Sequence, residues 1–444
     1  IKPTRKSVPF ELLYSRAARP NPLRNAQRAE RSLLCAAQFA MGLPFVALSM
    51  VSVLMFSDME VSNAQIAFWT SLIMLPWTLK PLWSPFLEMF KTKKYFVVAT
   101  EIITGLAFAL VALSLPLPDF FRYAIALMGI IALSGATHDI AGDGVYLTEL
   151  TATQQAKYIG WQGAFYNLAK ILANGGLVWL AGMLKDEFGV VHAWMIVMLM
   201  CAGIMILIGL YHIRILPSGG GASGEVNTMS DALNMLWEVI RSFFQKKHIA
   251  FYIVFIILYR FAEGYAIKIV PLFLKASVAD GGLGLSTQDI GLVYGTFGAG
   301  AFILGSLLAG YYISAFGLRK TLFSLCCAFN IPFLVYFLLA LYQPSDLWII
   351  GMAIVSEYLG YGFGFVGLML FMMQQVAPGK HQMAHYAFAT GIMNLGVMLP
   401  GMMSGYLSDW LGYRDFFIWV LIATIPAFIV TWLVPFTYPD GKKK

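Results

Sequence analysis

Hydrophobic residues fall along this chain in long unbroken blocks rather than in alternation. Each block approaches the roughly 20 mostly apolar residues that a helix needs to cross the hydrocarbon core of a bilayer. Twelve such spans are legible, at about 32–57, 63–86, 94–115, 121–146, 156–184, 189–213, 249–274, 285–313, 320–342, 347–376, 382–408 and 414–437. Strands of a membrane barrel are excluded, since these need only about ten alternating residues each. The pattern predicts an all-α membrane protein of twelve transmembrane helices.

One polar interval is longer than the others. After span six comes "LPSGGGASGEVN" (216–227), a flexible linker by composition. Behind it Met229, Ala232, Leu233, Leu236, Val239, Ile240, Phe243 and Phe244 recur at helical spacing. That is an amphipathic helix, lying either on the membrane surface or against the protein. The expected organisation is a cytoplasmic segment 1–31, a six-helix bundle 32–213, a linker with its helix 214–248, a second six-helix bundle 249–437 and a tail 438–444.

The two halves share local text. "AGMLKDEFG" (181–189) closes span five, and "SGYLSDWLG" (404–412) closes span eleven, with Gly, Leu, Asp and Gly in register. Parallel six-helix repeats joined by a middle loop are the plan of the major facilitator superfamily. "GYYISAFGLRK" (310–320) resembles that superfamily's inter-helix motif, with Ser314 where an acid is usual, and "SPFLEMFKTKK" (84–94) is its counterpart in the first half.

Composition supports the membrane reading. The chain is 59% hydrophobic and 12% charged, against about 25% charged in soluble domains. The net charge of +7 reflects topology, because most Lys and Arg fall on one side: the eight in 1–31, Lys91, Lys93, Lys94, Lys157, Arg214, Arg241, Lys246, Lys247, Arg319, Lys320, Lys380 and Lys442 to Lys444. That side is expected to be cytoplasmic and to carry both termini, and a nucleic-acid partner is not expected. The first apolar block is too long for a cleavable signal peptide. Cys35, Cys201, Cys326 and Cys327 lack metal-ligand spacing and read as packing residues. The six His are scattered, with only His381 and His385 at helical ligand spacing. No motif points to catalysis, so neither an enzyme nor a cofactor is expected.

The candidate chemistry lies in ionisable groups inside the spans, which cost about 2.5–3.5 kcal/mol each at the bilayer centre and so tend to face a partner or a water-filled cavity. They are Lys80, Glu101, Asp139, Asp143, Lys170, Arg260, Glu263, Lys268 and Glu357. Asp139 and Asp143, one turn apart in span four, share a helix face, where two close carboxylates favour holding a proton. Span five carries a polar stripe of Gln162, Tyr166, Lys170 and Asn174, suited to hydrogen-bonding a ligand. Arg260 and Glu263 in span seven can pair, and Lys268 is expected to snorkel outward. Proton coupling is assigned to Asp139, Asp143, Glu263 and Glu357. Substrate binding is assigned to Gln162, Tyr166, Lys170, Asn174, Arg260 and Lys80, and Glu101 is read as structural.

At these residues the chain resembles the AmpG-type muropeptide permeases, a branch of the major facilitator superfamily that also holds acetyl-coenzyme A transporters. "GLPF" (42–45) is similar to that family's Gly-Leu-Pro, and "LKPLWSPFLE" (79–88) to its Lys-x-Leu-Trp-x-Pro-x-x-Asp, with Glu88 for Asp. "ATHDIAGDG" (136–144) resembles its Ser/Thr-Gln-Asp-Ile-x-x-Asp, with His138 for Gln. "LYRFAEGYA" (258–266) resembles Leu-Tyr-Lys-x-x-Asp-x-x-Ala, and "EYLGYGFG" (357–364), "AHYAFATGIMNLG" (384–396) and "GYLSDWLGYRDFF" (405–417) match the last spans. The family often has Arg where this chain has Asn167, and the cation here lies one turn on, at Lys170. The resemblance implies a proton-coupled importer of a polar, anionic solute across a bacterial inner membrane: an anhydromuropeptide is favoured, with a siderophore or acyl-coenzyme A as alternatives. Its partners would be that small molecule, protons and the bilayer, with the chain acting as a monomer and the substrate held between spans one, four, seven and ten.

Overall fold

The computed structural model describes residues 37–88, 92–149, 165–219, 228–379 and 381–439. All regular structure among them is helical. Among the described residues, eight helical stretches are long and apolar enough to cross a membrane. Two of these, Phe165–Ile215 and Gln382–Leu433, are each two crossings joined by a tight reversal. With the broken helices of spans two and seven, the count is consistent with twelve.

The reversals explain the repeated glycines. Gly189, between spans five and six, has φ 78° and ψ 166°; Gly412, between spans eleven and twelve, has φ 72° and ψ 161°. A side chain is strained in that region, and Gly adopts it freely. The last letter of the repeated nonapeptide is therefore the residue that lets each pair of helices turn back in so short a space.

Spans one, two and seven are interrupted, the first two beside prolines. Span one runs as Gln38–Val46, a wide turn Ala47–Val51 and Ser52–Asp58, with Pro44 inside the first part. Pro44 has no N–H to give, and the ladder widens just beyond it. Span two is cut into Asn63–Leu72, Leu75–Leu79 and Ser84–Glu88 around Pro76 and Pro81. Span seven breaks at Arg260, between Ile249–Tyr259 and Phe261–Lys275.

The halves meet along two seams where backbone touches backbone. Spans five and eight meet through wide-turn segments Ile171–Leu177 and Gly291–Phe297. A Cβ on Gly295 would lie 2.1 Å from the Asn174 carbonyl oxygen, too close to exist. Spans two and eleven meet similarly: a Cβ on Gly405 would lie 2.4 Å from the Asn63 carbonyl, and one on Gly391 2.5 Å from that of Thr78. Small residues at these points allow the approach from which membrane helices gain their packing energy.

The amphipathic segment forms helix Met229–Phe244, opened by a reciprocal Thr228–Asp231 capping box. It packs against the protein along one face. Ala232, Val239 and Phe243 are buried against the protein, while Met229, Leu233, Trp237 and Phe244 remain exposed.

Candidate functional site

A cavity opens between the halves. Its walls are Phe45, Ser49 and Met50 of span one, Ser71, Met74 and Trp77 of span two, and Asn167, Lys170 and Asn174 of span five. From the second half come Arg260 and Lys268 of span seven, Tyr294 and Phe302 of span eight, Tyr358 and Tyr361 of span ten, and Asn394 of span eleven. Span four contributes no residue to this lining, which corrects the expectation of a site between spans one, four, seven and ten. Spans two, five, eight and eleven take part because the two halves meet along them.

Three cations face the cavity. Lys170 Nζ lies 4.9 Å from the centre of the Tyr166 ring and 5.5 Å from that of Phe302, positions in which ring quadrupoles attract an ammonium. Tyr166 thus supports Lys170 from behind. Asn174 lines the wall as the stripe predicted, whereas Gln162 lies outside the described residues. Arg260 donates to both oxygens of Glu263, at 2.6 Å each, and its guanidinium stands 5.2 Å from the Phe365 ring. The break in span seven at Arg260 gives the side chain its place, three residues before its partner. Lys268 does not snorkel outward: it is 4% exposed and donates to the carbonyls of Ser49 at 2.7 Å and Thr70 at 3.4 Å. Its spacing from Arg260, two helical turns, already placed the two on one face. Lipid could not be reached from there.

The acids are spread over three places. Asp139 accepts from Trp77 Nε1 at 2.9 Å and lies 3.8 Å from Lys80 Nζ. Lys80, expected to bind substrate, sits outside the cavity lining because it is turned toward this carboxylate. The Asp143 side chain is exposed, one turn further along span four. Glu263 and Glu357 line a second, smaller cavity with Tyr294, Tyr336, Tyr358 and Tyr361, and Tyr336 donates to Glu357 at 2.8 Å. Tyr294, Tyr358 and Tyr361 border both cavities.

Two clusters were not foreseen as such. Glu101, fully buried, receives His138 Nε2 at 3.0 Å and His212 Nδ1 at 2.8 Å, tying spans three, four and six together. At the end of the bundle opposite helix Met229–Phe244, Asp58 of span one takes Lys185 at 2.9 Å, Lys275 at 2.7 Å, Trp194 Nε1 at 2.8 Å and Thr287 at 3.2 Å. Lys275 and Thr287 belong to the second half, so this carboxylate bolts the halves together there. Asn63 adds bonds to Asp409 and Tyr413, also across the halves. No local pattern announces Asp58, because all of these partners are distant in sequence.

The chain is helical, in two halves with a cationic, aromatic and amide-lined cavity between them, and the known proteins it is similar to are membrane transporters. Residues 256–444 match the family profile described as Major Facilitator Superfamily. The chain shares its fold with a D-xylose–proton symporter (TM-score 0.69, 12% identity, 93% of this chain and 98% of that one). A nucleoside transporter aligns similarly (TM-score 0.69, 13% identity, 91% and 98%). The second half of the chain thus matches the profile of the major facilitator superfamily, and the whole chain has the fold of solved membrane transporters.

Its sequence relatives narrow the resemblance. It is 23% identical to the anhydromuropeptide permease of Escherichia coli over 92% of this chain and 80% of that protein. It is 24% identical to an uncharacterised Haemophilus influenzae protein over 95% and 99%.

Proposed function

We propose that the chain imports an anionic sugar–peptide of the anhydromuropeptide class across a bacterial inner membrane, in symport with protons, by alternating access. The observation that carries this reading is the composition of the cavity. Lysines meet carboxylates, tyrosine and phenylalanine rings offer faces to a sugar, and Asn167, Asn174 and Asn394 offer amides to hydroxyl and peptide groups. The likeness to a permease named for anhydromuropeptides supports that substrate class.

With both termini cytoplasmic, the Asp58 cluster closes the outer end and the state is an inward-facing one. Rocking would unfasten that cluster and part the outer ends of the span pairs two–eleven and five–eight. Asp143, Glu263 and Glu357 are the proton carriers in this reading. Asp139 acts with them through Lys80, which can exchange one carboxylate for the other as protons come and go.

The test is uptake of a radiolabelled anhydromuropeptide by proteoliposomes holding the purified chain, with and without an imposed inward proton gradient. Gradient-dependent accumulation supports the proposal. Uptake that ignores the gradient removes the coupling, and absence of any uptake removes the substrate. Glu263→Gln sharpens the result: it frees Arg260 for the ligand, so anion binding is kept or tightened while gradient-driven uptake falls.

A further inference from the structure

The cavity carries more positive charge than its own acids neutralise. Arg260 is closed off by its bidentate pair with Glu263. Lys170 and Lys268 are different. Among the described residues neither forms an ion pair with a carboxylate: Lys170 faces two aromatic rings, and Lys268 holds two backbone carbonyls. Rings and carbonyls solvate an ammonium through dipoles and quadrupoles but bring no countercharge. An ion left so, buried at Lys268 and half-buried at Lys170, is costly, and the cost is lowered by an anion that comes to it.

The two lysines also stand in different places. Lys170 belongs to the first half and lies at the seam with span eight, beside Phe302. Lys268 belongs to the second half and leans across on spans one and two, on Ser49 and Thr70. A single compact anion is suited to one of them. An elongated ligand with an anionic group near each end is suited to both.

Resting on the reading of this cavity as the substrate site, we infer that it selects a ligand with two separated carboxylates, one received by Lys170 and the other by Lys268. Lys268 is then a specificity residue with a second consequence. Its ammonium leaves the Ser49 and Thr70 carbonyls of the opposite half to take the ligand's carboxylate. Occupancy thereby loosens one tie between the halves at the moment the ligand makes another.

The experiment uses the full chain purified into lipid nanodiscs. One series of probes is an anhydromuramyl peptide with two free carboxylates, its monoamides and its diamide. A second series, independent of the sugar–peptide assignment, compares straight-chain dicarboxylates with monocarboxylates of equal length, read as shifts in thermal unfolding. The diacid should bind at least tenfold more tightly than either monoamide, and dicarboxylates should stabilise more than monocarboxylates. Lys268→Gln keeps a donor for the Ser49 and Thr70 carbonyls but loses the charge. It should erase the diacid's advantage over one monoamide while leaving diamide affinity unchanged, and Lys170→Met should erase it over the other. Lys268→Arg should restore part of the preference. Equal affinity of diacid and monoamides for the unaltered chain, or equal weakening of every probe by Lys268→Gln, overturns the inference. Muramyl compounds that bind whatever their charge would overturn it and leave the proposed function standing. If no muramyl compound binds while dicarboxylates outdo monocarboxylates, the charge selection stands and the sugar–peptide assignment falls.

Discussion

Lys275 Nζ lies 2.7 Å from Asp58 Oδ1, joining the second half of the chain to the first at the end of the bundle away from helix Met229–Phe244. Lys185 reaches the same oxygen from the first half at 2.9 Å. Asp58 is 3% exposed, and each lysine about a fifth. One buried carboxylate therefore holds two cations and spans the interface between the halves.

Asp58→Asn leaves both lysines without their anion in this state alone. Breaking a buried pair costs about 3–5 kcal/mol, and the lysines' partial exposure puts this case at the lower side of that range. The state with this end open should gain population. Spin labels at Glu60 and Asp280, exposed positions of opposite halves near this end, should show a longer distance distribution in Asp58→Asn. An unchanged distribution would mean that packing, not the ion cluster, sets the balance.

Asp139 and Asp143 share a helix face but stand in different surroundings, so their amide variants should part company. Asp139 is held by Trp77 and Lys80, and Asp139→Asn should lower folding stability by about 1–3 kcal/mol through weakened charged hydrogen bonds. Asp143, exposed, has no such pair among the described residues. Asp143→Asn should leave the unfolding temperature near that of the unaltered protein and abolish gradient-driven uptake, with substrate exchange retained. Full gradient-driven uptake in Asp143→Asn would take it off the proton path.

Among the described residues Glu101 is the only carboxylate that His138 and His212 both touch, and all three are buried. Glu101→Gln removes the one anion from that cluster. A loss of about 3–5 kcal/mol is expected, the cost of stripping a buried charge of its partner, with a matching fall in unfolding temperature. The hydrogen bond from Thr104 to Ser134, which also links spans three and four, remains. A fall worth less than about 0.5 kcal/mol, the range of ordinary surface substitutions, would show that the histidines do not depend on the charge.

Trp237 is 66% exposed on the same face of its helix as Met229 and Leu233. Basic residues Arg241, Lys246 and Lys247 follow it, as in helices that rest on a lipid interface. Brominated lipids should quench part of the fluorescence of the intact protein, and Trp237→Phe should remove that part. Identical quenching in both proteins would place this face in water.

Much of this molecule was legible without coordinates. The spans follow from block lengths, because a bilayer demands about 20 apolar residues of any helix that crosses it. The turn glycines showed as a repeated nonapeptide, since only Gly takes the backbone of Gly189 and Gly412 without strain. The cost of charge in hydrocarbon marked Lys170, Arg260, Glu263 and Glu357 as residues that must meet something. What each of them meets was decided by packing between segments far apart in the chain. Lys268 had the composition of a snorkelling residue, yet its direction depends on spans one and two, whose carbonyls lie about 200 residues away. Lys80 and Asp139 were read as separate site residues until the fold of span two put them within 3.8 Å. Asp58 looked like the polar end of a span, and only the meeting of both halves makes it a bolt. Periodicity reports which face a residue occupies; which neighbour that face finds is a property of helices brought together, and no single helix contains it.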